Sequence, residues 1–186
     1  ITDILRDDQR AGQVIDRLRS LLKRRSLDLQ PIELTGVIAE VLSLVSTDAA
    51  SRHVRLDHRA TPGLPMIRGD RIHLQHVLLN LFINAMDAMA EDTFGPRCIQ
   101  VSARLTGPIT VEVRVCDNGP GMPAESLEKL FDPFFTTKAN GMGMGLAVSK
   151  TIVEAHQGKL WAENRPEGGA CFCFTLPVAR GEGQGA

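Results

Sequence analysis

The chain has 186 residues, and its 43% hydrophobic content is sufficient for one domain with a buried core. Its net charge of −1 excludes a broad basic surface for nucleic acid or anionic lipid, and no apolar run reaches the length expected of a membrane span. No secretory signal opens the chain, which begins at Ile1, without Met, inside a charged heptad-like pattern. We therefore expect an excised part of a longer protein, with no nucleic-acid or membrane contact through this region.

The first 25 residues have the pattern of one amphipathic helix. Side chains recur every seven residues in two series with one polar interruption, which is typical of a seam between packed helices. This pattern predicts a helix–helix contact and favours a dimer. The two series are Ile4, Ala11 and Leu18, and Asp8, Ile15 and Leu22.

The rest of the sequence alternates between strand and helix patterns, with hairpin turns between some strands. This order favours an antiparallel or mixed sheet with helices on one face. The predicted helices cover about 34–52, 70–90, 124–130 and 145–157, and Asp70 is the expected N-cap of the second. The predicted strands lie in "DLQPIEL", "VRLDHRA", "LPMIRG", "CIQVSARL", "ITVEVRVCD", "KLWAEN" and "CFCFTL", and we expect a disordered tail over 179–186. In "CIQVSARL", Ile99, Val101, Ala103 and Leu105 share one face, and a turn at Gly168-Gly169 joins the last two strands.

Four cysteines lie in strand-like segments, and no two of them form a C-x-x-C pair. We therefore predict that they pack as reduced thiols in a cytosolic protein, rather than forming a disulfide or a zinc site. The residues are Cys98, Cys116, Cys171 and Cys173.

The longest predicted helix carries polar side chains on a surface that is otherwise apolar. Asn80, Asn84 and Asp87 lie at i, i+4 and i+7 and therefore share one face. Buried amides and carboxylates need partners, because an unsatisfied buried polar group costs about 1–3 kcal/mol. Either a ligand or the neighbouring backbone could supply these partners. The adjoining apolar stripe consists of Leu74, Leu78, Leu81, Ala85 and Ala88.

His73 and His76 lie on roughly the same face of this helix. A His-x-x-His pair could hold a metal ion, but the sequence offers no third ligand. We therefore do not predict a metal site there.

Asp117 continues the inward-facing register of a valine-rich strand, so its carboxylate is expected to be buried. An ionised carboxylate can only accept hydrogen bonds, and it is costly to bury without donors. The following "NGPGM" places Gly119 and Gly121 around a proline, which suits a turn that approaches a ligand closely. A ligand here must donate, as the exocyclic amine of a purine does. The alternative is an aspartate that caps its own turn or the next helix.

A glycine run precedes the last predicted helix, which begins near Leu146. Gly141, Gly143 and Gly145 would let the backbone fold around phosphates at a helix N-terminus, where unpaired N–H groups attract anions. The same glycines would let the segment move as a lid. Lys138 lies just upstream and could add positive charge. A flexible linker with a solvated lysine is the alternative interpretation.

Four motifs follow one another along the chain: an N-x-x-x-N-A-x-D-A helix, a strand ending in D-N-G-P-G-M, then F-D-P-F-F-T-T-K and G-M-G-M-G-L. In this order and spacing, residues 32–178 resemble the ATP-binding domain of sensor histidine kinases. That domain belongs to the GHKL superfamily, which also contains chaperone, gyrase and mismatch-repair ATPases. The resemblance is greatest to the FixL-like oxygen-sensing kinases. Residues 1–28 resemble the C-terminal part of their dimerisation helical hairpin.

The resemblance implies an α/β (α+β) two-layer sandwich, the Bergerat fold, in which a mixed sheet is backed by helices. It also implies that Asp117 accepts the adenine amino group of ATP and that Asn84 holds Mg²⁺, which prefers oxygen ligands. The glycine run and Lys138 would form the ATP lid. The implied nucleotide-binding residues are Asn80, Asn84, Asp117, Gly119, Gly121, Lys138, Gly141, Gly143, Gly145 and Leu146.

Two features separate this chain from other members of the superfamily. The ATPase branches carry a water-activating Glu where this chain has Asn80, and an amide cannot accept a proton near neutral pH. Many sensor kinases carry a Lys where this chain has Asp87, so no phosphate role can be assigned to that position by resemblance. We therefore expect a site that holds ATP without hydrolysing it rapidly.

The chain lacks the acceptor-histidine motif of the first dimerisation helix, in which a His is followed by Glu or Asp and a downstream Pro. The chain should therefore bind Mg-ATP but not phosphorylate itself.

The implied partners are the kinase's own dimerisation domain, a second copy in a full-length homodimer, and a response regulator. The implied location is the cytoplasm or the cytoplasmic side of the inner membrane. The alternatives are an ATPase that drives conformational change and a non-catalytic nucleotide-binding module. The histidines present are His53, His58, His73, His76 and His156.

Overall fold

The computed structural model describes residues 27–59, 61–90, 95–138 and 142–179. The helix predicted for residues 1–25 lies outside the described residues, and of the segment 1–28 only 27 and 28 are described, which are not helical. Most of the predicted tail, 180–186, also lies outside them. Ala179 is an exception to that prediction, because its N–H donates to the Met66 carbonyl at 2.8 Å.

The described residues form seven strands: β1 (Gln30–Ile32), β2 (Val54–Arg59), β3 (Ile67–Gly69), β4 (Arg97–Gly107), β5 (Thr110–Asp117), β6 (Leu160–Asn164) and β7 (Ala170–Pro177). Five of them form one sheet in the order β2-β4-β5-β7-β6, and β1 pairs with β3 separately. β2 is parallel to β4, whereas the other neighbours in the large sheet are antiparallel. The predicted mixed sheet is therefore confirmed.

Helices occur in the described residues as α1 (Leu34–Ser51), α2 (Arg71–Ala88), α3 (Ala124–Lys129) and α4 (Gly145–Ala155). The central helix is α2, which packs against α1, α4 and strands β4 and β5. Its N-terminus is capped as predicted: Asp70 Oδ1 accepts hydrogen bonds from the N–H groups of Ile72 and His73 at 3.0 and 3.2 Å. The fold therefore buries α2 between other helices and the sheet.

Two apolar positions differ from the prediction because they lie at the ends of elements. Leu74, Leu78 and Leu81 are fully buried, but Ala88 is exposed where α2 ends. The inward face of the β4–β5 hairpin is buried as predicted, but Leu105 is 49% exposed. The pairing register shifts between Leu105 and Gly107, so the regular alternation of the strand is lost there.

The prediction of four free thiols was wrong for one pair. Cys116 and Cys171 form a disulfide between β5 and β7, whereas Cys98 and Cys173 are free. The paired residues are directly opposite each other in the antiparallel ladder. Their separation of 55 residues hides this proximity in the sequence.

One helix in the described residues, α1, is long and apolar enough to cross a membrane, with a mean hydropathy of 1.3. This finding corrects the expectation that no segment reaches that length. The buried face of α1 packs against α2 and β2, which is also the arrangement of a core helix. That face consists of Leu34, Val37, Ile38, Val41, Val45 and Ala49.

His156 connects the end of α4 to the start of α2, a role that the sequence did not predict. Its Nε2 accepts a hydrogen bond from the Asp70 N–H at 2.9 Å, so Nδ1 carries the proton and donates to the Ile152 carbonyl at 2.7 Å. Burial lowers the pKa of His156, because the charged imidazolium is poorly solvated there. A neutral histidine therefore satisfies two backbone groups inside the domain.

Gly158 follows α4 and lies so close to β7 that a Cβ at this position would overlap the Thr175 carbonyl oxygen. We expect Gly158→Ala to lower the free energy of unfolding by roughly 1–3 kcal/mol, because β7 would have to shift. Urea denaturation measures this change. The matched control is Gly107→Ala, where an added Cβ would meet nothing within 4 Å. Equal unfolding midpoints for the two variants would contradict the steric argument.

Candidate functional site

The site begins at the end of β5, where Asp117 is 1% exposed, as its register predicts. Its Oδ1 accepts hydrogen bonds from the N–H groups of Gly119 at 3.0 Å and Ala170 at 3.2 Å. In the described part of the chain, no neighbouring residue donates a hydrogen bond to Oδ2. One oxygen therefore caps the turn, as in the alternative interpretation, while the other is left for a donating group.

The pKa of Asp117 is raised above its ordinary value because burial disfavours the charged form. The hydrogen bonds from Gly119 and Ala170 and the nearby Arg165 guanidinium act in the opposite direction and reduce the shift. A hydrogen-bond donor from a ligand would stabilise the carboxylate further.

The loop after β5 approaches its neighbours so closely that Gly119 and Gly121 have little room for side chains. A Cβ at Gly119 would stand 3.1 Å from both Asp117 Oδ1 and Met89 Cγ. Gly121 has a φ of +77°, and a Cβ there would stand 3.0 Å from Asn164 Oδ1. The loop therefore fits between Asp117, the end of α2 and the end of β6.

The turn between β6 and β7, which the sequence predicted only as a turn, also contacts Asp117. Arg165 Nη1 donates to the Asp117 carbonyl at 3.1 Å. Gly169 has a φ of +88°, and a Cβ there would overlap the same carbonyl oxygen. The sequence signal for this contact was the Gly168-Gly169 pair, but only the β5–β7 pairing places that turn beside Asp117.

The polar face of α2 finds partners on three other parts of the chain. Asn80 Nδ2 donates to Ser149 Oγ on α4 at 2.9 Å. Asn84 Oδ1 accepts from the Lys138 ammonium at 3.0 Å. Asp87 is bound on both sides, by Lys138 Nζ and by Arg52 Nη1, each at 2.7 Å. The three residues are therefore partnered by side chains rather than by backbone.

Asp87 and Lys138 form an ion pair at the edge of this face. Burial alone would raise the pKa of Asp87, but hydrogen bonds from Lys138 and Arg52 lower it below its ordinary value. Lys138 is 39% exposed, so it can leave this position without a large change in burial. The Lys138 ammonium is thus the cation towards which Asn84 and Asp87 direct their side-chain oxygens.

The glycines before α4 have a local structural reason in addition to the predicted one. Gly143 has a φ of +64° and lies against the backbone of Phe134, whose N–H donates to the Gly143 carbonyl at 3.0 Å. A Cβ at Gly145 would overlap Asn80 Oδ1. Two of the three glycines are therefore required by contacts within the protein, and Gly141 lies outside the described residues.

The N-terminus of α4 has no side-chain cap, because Met144 occupies the N-cap position. Among the described residues, no side chain caps its first N–H groups, which could therefore bind an anion. Leu146, in the first turn, packs its side chain against the core. Its backbone N–H lies in the first turn of α4, where it could reach an anion.

The two halves of the site adjoin along α2. Asn84 lies four residues before Ala88, about 6 Å along the helix axis, and Gly119 approaches the Ala88 carbonyl. No group of three or more His, Cys, Asp or Glu side chains with metal-binding geometry occurs in the described part of the chain. His73 instead lies 3.0 Å from the Asp70 carboxylate, measured from Nδ1 to Oδ2.

Residues 69–180 match the family described as histidine kinase-, DNA gyrase B-, and HSP90-like ATPase. The chain belongs to this family. Among curated relatives, it is 43% identical over 173 residues to the sensor histidine kinase ZraS of Klebsiella oxytoca and 41% identical over 170 residues to the sensor protein FixL of Bradyrhizobium diazoefficiens. These alignments cover 93% and 91% of the chain, but only 37% and 33% of the relatives. The chain thus spans about a third of the length of these sensor kinases.

Solved histidine kinases share the fold of this domain. The histidine kinase ThkA, in a complex with the response regulator protein TrrA, matches 95% of this chain with a TM-score of 0.73 and 28% identity. Full-length ShkA in complex with AMPPNP matches 83% of the chain with a TM-score of 0.73 and 26% identity. The match covers 49% of the ThkA chain and 32% of the ShkA chain. The predicted sandwich of a mixed sheet and helices is therefore confirmed as that of the histidine kinase catalytic domain.

Burial of the Asp117 carboxylate gives a testable pH dependence. Because its pKa in the folded protein lies above the ordinary value of 3.8, the folded state holds more protons than the unfolded state just above that pH. Wild type should therefore lose stability relative to Asp117→Asn as the pH rises from about 4 towards neutral. Asn retains an oxygen for the two backbone donors. Urea denaturation of both proteins across this range measures the difference, and a wild-type free energy of unfolding that rises relative to that of Asp117→Asn would contradict the assignment.

Proposed function

We propose that this chain is the ATP-binding catalytic domain of a sensor histidine kinase. It holds Mg-ATP and presents the γ-phosphoryl group to a histidine on the dimerisation domain. The observation that carries this proposal is the buried Asp117 carboxylate, with Oδ1 fixed by two backbone N–H groups and Oδ2 open. An acceptor-only oxygen in a nearly dry position selects a ligand that donates, and the amino group of adenine meets this requirement.

The polar face of α2 suits the phosphate end of the nucleotide. Asn84 Oδ1 already faces a cation, the Lys138 ammonium, so its surroundings accept positive charge. Mg²⁺ prefers oxygen ligands and would be held by Asn84; when bound, it neutralises negative charge on the phosphates. Lys138 would then turn from Asn84 and Asp87 towards the phosphates. The open N–H groups of α4 supply further donors for the same anion.

Asn80 favours phosphoryl transfer to another group over hydrolysis. Its amide donates to Ser149 and has no basic group with which to take a proton from water. Phosphoryl transfer depends mainly on positioning and charge neutralisation, so a docked acceptor suffices for reaction. An ATPase that drives conformational change would need a general base, and Asn80 occupies the position expected for it.

The relatives support a proposal about the partners of the whole protein. Their names identify sensor kinases, and ThkA forms a complex with a response regulator. We propose that the full-length protein contains a dimerisation domain, acts as a homodimer and passes its phosphoryl group to a response regulator. Its expected location is the cytoplasm or the cytoplasmic side of the inner membrane.

Calorimetric titration with Mg-ATP tests base recognition directly. We expect micromolar to sub-millimolar affinity for wild type and a loss of roughly tenfold to several hundredfold for Asp117→Asn. The variant can place an N–H donor against the adenine amino group, which is itself a donor. The loss should be equal for Mg-ADP, because both nucleotides carry the same base. Equal affinity of wild type and Asp117→Asn would refute this role.

Asn84→Ala serves as the control at the phosphate end. It should weaken binding when Mg²⁺ is present and have little effect when the metal is chelated. This dependence distinguishes the assigned metal contact from a general loss of the fold.

A transfer assay tests the kinase function. A separately produced dimerisation domain of the same kinase is mixed with this chain and ATP labelled at the γ-phosphate. We expect label to reach the acceptor histidine, while this chain alone remains unlabelled and hydrolyses ATP slowly. Normal ATP binding without transfer would contradict the kinase assignment. Rapid steady-state hydrolysis by the chain alone would favour an ATPase that drives conformational change.

A further inference from the structure

Asn164 links the two segments that hold Asp117. It is the last residue of β6, and its side chain forms two hydrogen bonds with the backbone of one residue, Met122. Its Oδ1 accepts from the Met122 N–H at 2.8 Å, and its Nδ2 donates to the Met122 carbonyl at 2.7 Å. The amide thus binds both backbone polar groups of Met122, as a residue on a neighbouring strand could.

The position of Asn164 in the sheet explains why a side chain makes this pairing. β6 is an edge strand of the five-stranded sheet, so its outer backbone groups have no partner strand in that sheet. Within the sheet, Asn164 lies directly opposite Ala170 on β7. One residue therefore lies beside Ala170 in the sheet and binds the Met122 backbone through its side chain.

Ala170 and the loop that contains Met122 each provide a hydrogen-bond donor to the same oxygen, Asp117 Oδ1. The Ala170 N–H donates to Asp117 Oδ1 directly. Met122 ends the short loop that starts at Gly119, whose N–H is the second donor to Oδ1. Gly121, inside that loop, lies directly against the Asn164 amide. Asn164 therefore links the loop and the strand that carry the two donors to Asp117 Oδ1.

We propose that Asn164 is a positioning residue for base recognition, which acts through the Gly119–Met122 loop and not by touching the nucleotide. This inference rests on the proposed function, because it assigns Asp117 to the base. Loss of the two hydrogen bonds would let the loop move away from β6. The Asp117 carboxylate would then keep its charge but lose its fixed direction.

The test compares Asn164→Ala with a matched control, Asn118→Ala. Asn118 also makes two hydrogen bonds to backbone, accepting from the Cys98 N–H at 2.7 Å and donating to the Pro96 carbonyl at 2.8 Å. These bonds tie the residue after Asp117 to the start of β4, and none of them reaches Met122 or β6. Both variants therefore lose the same number of similar bonds, but only Asn164→Ala detaches the loop from β6.

In calorimetry, we expect Asn164→Ala to raise the Kd by about fivefold to thirtyfold, the range that one or two hydrogen bonds account for. The factor should be the same for Mg-ATP and Mg-ADP, with unchanged binding stoichiometry. In the transfer assay, KM should rise while kcat stays constant, because the lost contact is equally present in the ground and transition states. Asn118→Ala should keep the wild-type Kd.

A measurement without nucleotide supports the same conclusion independently. Amide hydrogen exchange, followed by NMR, should be faster at Gly119 and Met122 in Asn164→Ala than in wild type or Asn118→Ala. A second variant, Asn164→Asp, retains the acceptor but turns a carboxylate oxygen towards the Met122 carbonyl. We expect it to weaken binding at least as much as Asn164→Ala.

Two outcomes would overturn the inference alone. One is a wild-type Kd for Asn164→Ala with unchanged exchange at Gly119, while Asp117→Asn still loses affinity. The other is an equal loss of affinity in Asn118→Ala, which would indicate general destabilisation. If wild type gave no binding heat with Mg-ATP at all, both this inference and the proposed function would fail.

Discussion

The orientation of one buried carboxylate determines what the candidate site can bind. Asp117 ends β5 at a depth where a carboxylate needs N–H donors. The fold supplies two of them, from Gly119 and Ala170, and both bind Oδ1. Because the protein satisfies one oxygen and leaves the other open, a donating ligand completes the site. Three parts of the fold contact Asp117: the β5–β7 pairing, the turn after β6 and the loop after β5. A local change in any of them would therefore alter the position of its carboxylate.

At the opposite end of the site, the polar side chains of α2 are likewise held by partners from other parts of the chain. Asn80, Asn84 and Asp87 are half-buried beside the buried side of α2, and each has a partner from elsewhere in the chain. Their partners are all side chains, contributed by α4, by the segment before it and by the residue after α1. Glycine at 145 is needed because α4 begins directly against Asn80. The polar face therefore ties the α4 segment to the core while keeping a cation beside Asn84.

Most secondary structure was predictable because its signals are local. Valines alternate along β5, and Asp70 precedes a helical apolar pattern, so the burial of Asp117 and the start of α2 followed directly. The predictions failed where the ends of elements or distant pairings decide the outcome. Leu105 and Ala88 lie at such ends, and the Cys116–Cys171 disulfide depends on two strands far apart in sequence. Asn164 and Arg165 carried no recognisable signal, since an asparagine and an arginine at the end of a strand are ordinary surface residues.

The sequence by itself determined the elements, the polar face of α2 and the acceptor-only character of Asp117, because helix and strand periodicity and side-chain chemistry are properties of short segments. The order of its four motifs also identified the family. Only the tertiary structure decided which oxygen of Asp117 is satisfied, which cation faces Asn84 and why Gly143 and Gly145 lack side chains. Those outcomes depend on contacts between residues far apart in the chain. Such contacts are fixed by the sheet order and the packing of helices on it, which no local pattern encodes.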